Sequence, residues 1–150
     1  MSMRGKYGSA SEIAARLERM KGDVSRAVEV VVREAAERAR ERASAAAPVG
    51  DGSDGGHLRD CIRAEFVRGE NSALGRVIAE NPHAAYVEFG TGQRGAGSPA
   101  PPKWAEAGGY GEIPGMPAQP YLTPAAAEGR DEFFREGARA VRAALKGGGV

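Results

Sequence analysis

The sequence predicts an α+β domain, and three observations predict it. Apolar residues recur every three or four positions from Ile13 to Ala46, the period changes to two around Ile62, and helical spacing returns from Phe134 to Leu145. The expected order is a long N-terminal helix, an antiparallel sheet of three to four short strands, a long Gly/Pro-rich loop and a C-terminal helix. The 150 residues suffice for one modest core, so residues 1–150 read as a single domain. Within it, residues 1–9 are expected to be a loose arm, 93–118 an extended loop and 147–150 a tail.

The first helix opens at Ser9, which has Glu12 at capping-box spacing. Ile13, Leu17, Met20, Val24, Val28, Val31, Ala35, Ala39, Ala43 and Ala46 then line one face. The stripe stays in phase across Gly22-Asp23, which is therefore expected to be a bend and not a domain boundary. A helix over 10–46 would be ~55 Å long at 1.5 Å rise per residue. Glu29 with Arg33 and Glu34 with Arg38 stand at ion-pair spacing on its outer face. Pro48 and the glycines of 50–56 stop the helix.

Ile62, Ala64 and Phe66 alternate with Cys61, Arg63 and Glu65, as in a half-buried strand. A turn at Gly69-Glu70-Asn71-Ser72 leads to a second strand over 75–80, and Asn81-Pro82 to a third at Tyr86-Val87-Glu88-Phe89. Short connections make this an antiparallel meander lying on the long helix. The insert from Gln93 to Ala118 carries five prolines among many glycines, which forbid a helix and leave few ladder donors. Trp104, Tyr110, Ile113 and Met116 are its large apolar groups, and it is expected to order against another molecule. Thr123 as N-cap and Pro124 at N1 start the last helix, and the glycines from Gly147 end it.

Composition narrows the function. Aromatic residues make up 6% and glycines number 22, so the core rests on Ala and Val, in thin layers that gain from neighbouring copies. With 21 basic and 20 acidic residues, no global field draws in nucleic acid or anionic lipid. A single cysteine, Cys61, excludes an internal disulfide and suits a reducing cytoplasm. No apolar run approaches the ~20 residues of a membrane span, and Arg16, Glu18, Arg19 and Lys21 interrupt any secretory h-region.

Candidate chemistry is sparse. Gly90-Thr91-Gly92-Gln93-Arg94-Gly95 spells GxGxxG, but Ser98-Pro99-Ala100-Pro101-Pro102 forbids the helix a dinucleotide site needs. A turn requiring positive φ is the better account. His57, Asp60 and Cys61 lie close together, yet the only other histidine is His83, too few ligands for zinc. The arginines of 33–42 are cancelled by interleaved glutamates. No acid/base pair, triad or phosphate cradle is present, so neither catalysis nor a cofactor is expected. Glu88, on a strand between Val87 and Phe89, is expected either in solvent or in a salt bridge to a neighbouring subunit.

Four segments together resemble one family. They are Ala45-Ala46-Ala47-Pro48-Val49 with Asp51-Gly52, Leu58-Arg59-Asp60-Cys61-Ile62, Tyr86-Val87-Glu88-Phe89-Gly90-Thr91, and Gln119-Pro120-Tyr121-Leu122-Thr123-Pro124-Ala125. This is similar to the neck and tail-component proteins of long-tailed bacteriophages, of the tail-completion or head–tail joining kind. There a Tyr-x-Glu-x-Gly-Thr segment is followed by Pro-Phe-Leu-x-Pro-Ala. Cys61 stands where that family has Ser and Tyr121 where it has Phe, and both loops are longer.

The resemblance implies a non-enzymatic virion structural protein at the head–tail junction, formed in the bacterial host cytoplasm, that completes the tail or joins it to the head as a ring. Its partners would be further copies of itself and neighbouring neck, adaptor or stopper, and tail-tube proteins. No membrane is involved, and DNA at most passes through the lumen. The expected contact residues are Tyr86, Glu88, Phe89, Gly90, Thr91, Trp104, Pro120 and Tyr121. One alternative role is a tail terminator capping the tube. Another, of a different class, is a small-ligand or nucleic-acid-binding module using the glycine turn at 90–95.

Overall fold

The structure, a computed structural model, describes residues 8–49, 58–91 and 116–147. His57, Trp104 and most of the expected arm, loop and tail lie outside the described residues. Helix α1 spans Ala10–Ala46, 37 residues, and runs unbroken through Gly22-Asp23. The capping box forms as its spacing requires: Ser9 Oγ accepts from the Glu12 N–H at 3.3 Å, and Glu12 accepts from the Ser9 N–H at 2.6 Å. At the other end the Ala47 N–H bonds the Ala43 carbonyl at 2.9 Å, and the backbone turns extended before Pro48.

A 3-10 turn, Leu58–Cys61, leads into a two-stranded antiparallel hairpin of β1 (Ile62–Arg68) and β2 (Ala73–Ala79). The pairing runs from Ile62 opposite Ala79 to Arg68 opposite Ala73. The Gly69 N–H bonds the Ser72 carbonyl at 2.8 Å and the Glu80 N–H bonds the Cys61 carbonyl at 3.0 Å. Those two pairs set the phase: odd-numbered residues of β1 bond β2, and even-numbered ones turn their N–H and C=O to the open edge.

Ala64, Phe66, Gly75 and Val77 share the face toward α1. A Cβ on Gly75 would sit 2.9 Å from the Ala36 Cβ and 3.1 Å from the Val32 carbonyl oxygen, so glycine is what lets strand and helix meet. Glu34 pairs with Arg38 at 3.9 Å as its spacing requires. The other expected pair is replaced: Glu29 reaches Arg68 at 3.1 Å, and the Arg33 guanidinium stacks 4.7 Å from the Phe66 ring centroid.

The sheet has two strands among the described residues, not three to four. The expected third strand is a helix, α2 (Ala84–Phe89). Asn81 starts it: its side-chain oxygen accepts from the His83 N–H at 2.8 Å and its carbonyl from the Ala84 N–H at 3.0 Å. Ala84 and Ala85 then favour helix, and Ala84 and Glu88, four apart, turn inward together. Four residues are too few for alternation to separate the two states.

The C-terminal helix is also divided, into α3 (Leu122–Glu128) and α4 (Arg130–Gly147), with Gly129 between them. Its N-cap is Tyr121 and not Thr123, so Pro124 falls at the third helical position, where an N–H is still dispensable. Helix α4 lies along α1. Arg38 bonds Glu136, and Arg42 bonds Glu132 at 2.8 Å. The main core cluster is Ala43, Ala47, Ile62, Tyr121 and Ala125, rimmed by Leu58, Val77, Ala79, Val87 and Leu122. The alanines of α1 thus take the C-terminal segment onto their flat surface.

Candidate functional site at the base of the loop

The two sequence motifs are each other's partners. Glu88 is 3% exposed and its carboxylate meets the start of α3. One oxygen accepts from the N–H of Tyr121 at 2.8 Å and of Leu122 at 2.9 Å, the other from the N–H of Thr123 at 2.9 Å. These are the donors that a helix start leaves unpaired, so a side chain from α2 serves as the cap that Tyr121 cannot provide. Burial pushes the Glu88 carboxyl up. The Thr123 hydroxyl and the backbone N–H groups of Leu122, Tyr121 and Thr123 outweigh it and hold the group below the ordinary carboxylate value.

Three more bonds close the base. The Thr91 N–H donates to the Met116 carbonyl at 2.9 Å, the Met116 N–H to Thr91 Oγ1 at 2.9 Å, and the Gln119 N–H to the Val87 carbonyl at 2.8 Å. Gly90 turns the chain between α2 and this bridge at φ +72, the positive value that only glycine adopts without strain. The chain therefore leaves at Thr91 and returns at Met116 at one fixed point.

Tyr121 fills the space beneath, 0% exposed and the largest fully buried side chain among the described residues. Its hydroxyl has no hydrogen-bond partner among the described residues. Burial, then the charges of Glu88 and Cys61, push its pKa up to about 12.

Of the expected contact residues, the structure brings Glu88, Gly90, Thr91 and Tyr121 into this clasp. Tyr86 is 39% exposed on α2, with its ring centroid 6.3 Å from that of His83. Pro120 is exposed, Phe89 is half-buried, and Trp104 lies outside the described residues. Within the protomer Glu88 is neither solvated nor free to bridge a neighbour, and Tyr121 is covered. No local signal in the sequence marks Met116 as a site residue. Its role follows from meeting Thr91 across the loop.

A carboxylate saturated by backbone donors and held low is a poor proton carrier near neutral pH. Cys61 is half-buried at the entry to β1. Among the described residues no group of three or more His, Cys, Asp and Glu could hold a metal ion, and no helix is long and apolar enough to cross a membrane.

Fold and clasp together define a small α+β domain whose buried charge serves architecture. A family model described as "Bacteriophage HK97-gp10, putative tail-component" matches residues 11–90, more than half of the chain. The chain belongs to this HK97-gp10-like family. The match takes in α1, the hairpin and α2, including Glu88, and stops before the Gln119–Ala125 motif that Glu88 holds. No curated protein and no solved structure matches the chain.

Proposed function

We propose that this tail component is a non-enzymatic structural protein of the virion, acting at the head–tail junction as a ring that completes the tail or joins it to the head. The observation that carries the reading is the clasp. Residues 92–115 are pinned at both ends to one point on the body, through Thr91 and Met116, so a contact made by that segment is transmitted to α1 through Glu88 and Tyr121. A long connection anchored in this way suits docking on another subunit.

Contact residues in this reading are Tyr86, Phe89, Gly90, Thr91, Trp104 and Pro120. Glu88 and Tyr121 support them from beneath. The partners are further copies and the adjoining neck and tail-tube proteins, with DNA passing at most through the lumen. Assembly takes place in the host cytoplasm.

The test is electron microscopy of a lysate from phage carrying an early stop codon in this gene. Filled heads beside free tails of normal length support completion or joining. Tails of irregular length would assign termination instead, and normal infectious particles would refute the neck role. If a nucleotide or oligonucleotide protected residues 90–118 from hydrogen exchange in the isolated chain, the binding-module alternative would replace it.

A further inference from the structure

The hairpin is two strands wide, so both of its long edges are unpaired among the described residues. On β1 the outward N–H and C=O groups belong to Ile62, Ala64, Phe66 and Arg68, and on β2 to Ala73, Gly75, Val77 and Ala79. An open groove runs beside β1. Arg33, Ala36 and Glu37 of α1 line it on one side and Ala64, Glu65 and Phe66 on the other, with an accessible volume of about 300 Å³ and no residue of β2. Ile62 is buried and the other residues of these edges are half-buried or, at Arg68, exposed, so from Ala64 onward the edge of β1 can template a further strand.

The outer sheet face names the strand. Within one chain Arg63 stands opposite Ile78, Glu65 opposite Arg76 and Val67 opposite Leu74. Glu65 lies 3.9 Å from Arg76, and Val67 and Leu74 remain 42% and 47% exposed. Set β2 of a second copy against the free edge of β1, antiparallel and in the same register. The outward groups of Ala64 and Phe66 then meet those of Val77 and Gly75, while Glu65 faces a second Arg76 and Val67 a second Leu74. Over the groove the incoming Gly75 faces Phe66 and the incoming Val77 faces the small Ala64, so each pair has one small member and the strand can lie there. Two strands span about 9.6 Å and helices pack 8–10 Å apart, so one α1 per hairpin keeps pace with the growing sheet.

We infer that copies of this chain join β1 to β2 edge to edge, forming a continuous antiparallel sheet with the α1 helices on one face. The contact is heterologous, so it repeats and can close into a ring, whereas pairing β1 with β1 about a two-fold axis stops after two copies. This rests on the ring reading above and specifies which surfaces make the ring.

The test uses full-length chains in a Cys61→Ser background. One population carries Val67→Cys and another Leu74→Cys, both at exposed positions that tolerate change. The two are mixed under mild oxidation, and also co-expressed during phage assembly, with mass measured by light scattering. A covalent dimer from the mixture but from neither variant alone is the expected result. Oligomers that form without this cross-link would overturn the edge pairing and leave the ring reading standing. Chains that stay monomeric in solution and are absent from particles would overturn both. A cross-link of either variant to a different phage protein would assign the edge to that partner instead. Ala64→Pro gives an independent check, because it removes an N–H aimed at the neighbour and none from the β1–β2 ladder. It should weaken assembly at least tenfold while the hairpin's amides keep their exchange protection.

Discussion

Replacing Glu88 tests the clasp most directly. In Glu88→Ala three backbone N–H groups lose a charged acceptor. That of Tyr121 is buried, and an unsatisfied buried donor costs about 1–3 kcal/mol. Those of Leu122 and Thr123 are partly buried, so water restores much of their loss, and the missing helix cap adds about 1 kcal/mol. Relief from burying a carboxylate offsets part of this. The net is about 3 kcal/mol, a large share of the roughly 5–15 kcal/mol that keeps a domain folded. Glu88→Gln retains an amide oxygen but turns an NH2 toward donors, and should lose about half as much, roughly 1.5 kcal/mol.

The assay is urea unfolding of wild type and both variants at one pH, with hydrogen exchange at Tyr121, Leu122 and Thr123 in parallel. Exchange should accelerate there and at Met116 and Gln119, whose bonds depend on the same closure. Losses below about 1 kcal/mol in both variants, or equal losses in the two, would refute the account.

Other consequences follow from the same contacts. Because Glu88 titrates lower in the folded chain than in the unfolded one, its stabilisation is complete above the ordinary value of 4.5 and is lost as pH falls below that through the native value. Wild type should therefore lose more stability than Glu88→Gln over that range in acid unfolding curves. The Tyr121 hydroxyl is buried without a partner among the described residues, so Tyr121→Phe should be neutral or stabilising by about 1 kcal/mol, read by thermal unfolding. With a native pKa of about 12 against 10.0, Tyr121 contributes stability that is present below pH 10 and lost as pH rises through about 12. The loss reaches about 3 kcal/mol and should be absent from Tyr121→Phe. Gly75→Val drives side-chain atoms into Val32 and Ala36 and should cost about 2–3 kcal/mol. Gly137→Ala, in open space on α4, should instead stabilise by about 0.5–1 kcal/mol in the same urea series.

Much of the frame was legible because it rests on local rules. Ser9 and Glu12 announced the start of α1, and its long stripe outweighed Gly22. The hairpin was readable from alternation at 62–66 and the Gly69–Ser72 turn. The error at Tyr86–Phe89 has a physical cause: one helical turn and one short strand look alike when residues at i and i+4 are the only test. As a strand that segment would send Glu88 to a sheet face. As a helix it turns Glu88 inward, where the fold brings the first residues of α3 to it. The pairing spans a sequence separation that no local signal crosses. Thr123 hid it further, because a good capping residue at that position suggested the helix needed no outside cap.

The clasp also explains how so thin a core holds the C-terminal half. None of the residues of α4 is fully buried, and its ion pairs to α1, those of Arg38 and Arg42, are partly exposed and each worth little in water. What positions α3 and α4 is therefore upstream of them: Tyr121 seated on Ala43 and Ala47, and Glu88 fixing the direction in which α3 departs. A neutral residue at 88 would leave Tyr121 able to pack but α3 free to leave at other angles. A charge anchored by three N–H groups specifies one angle, at the expense of burying it. The first turns of α1 meet no such constraint. Ile13 and Leu17 stand 42% and 59% exposed on the stripe whose later residues Val31, Val32, Ala36 and Ala43 are buried.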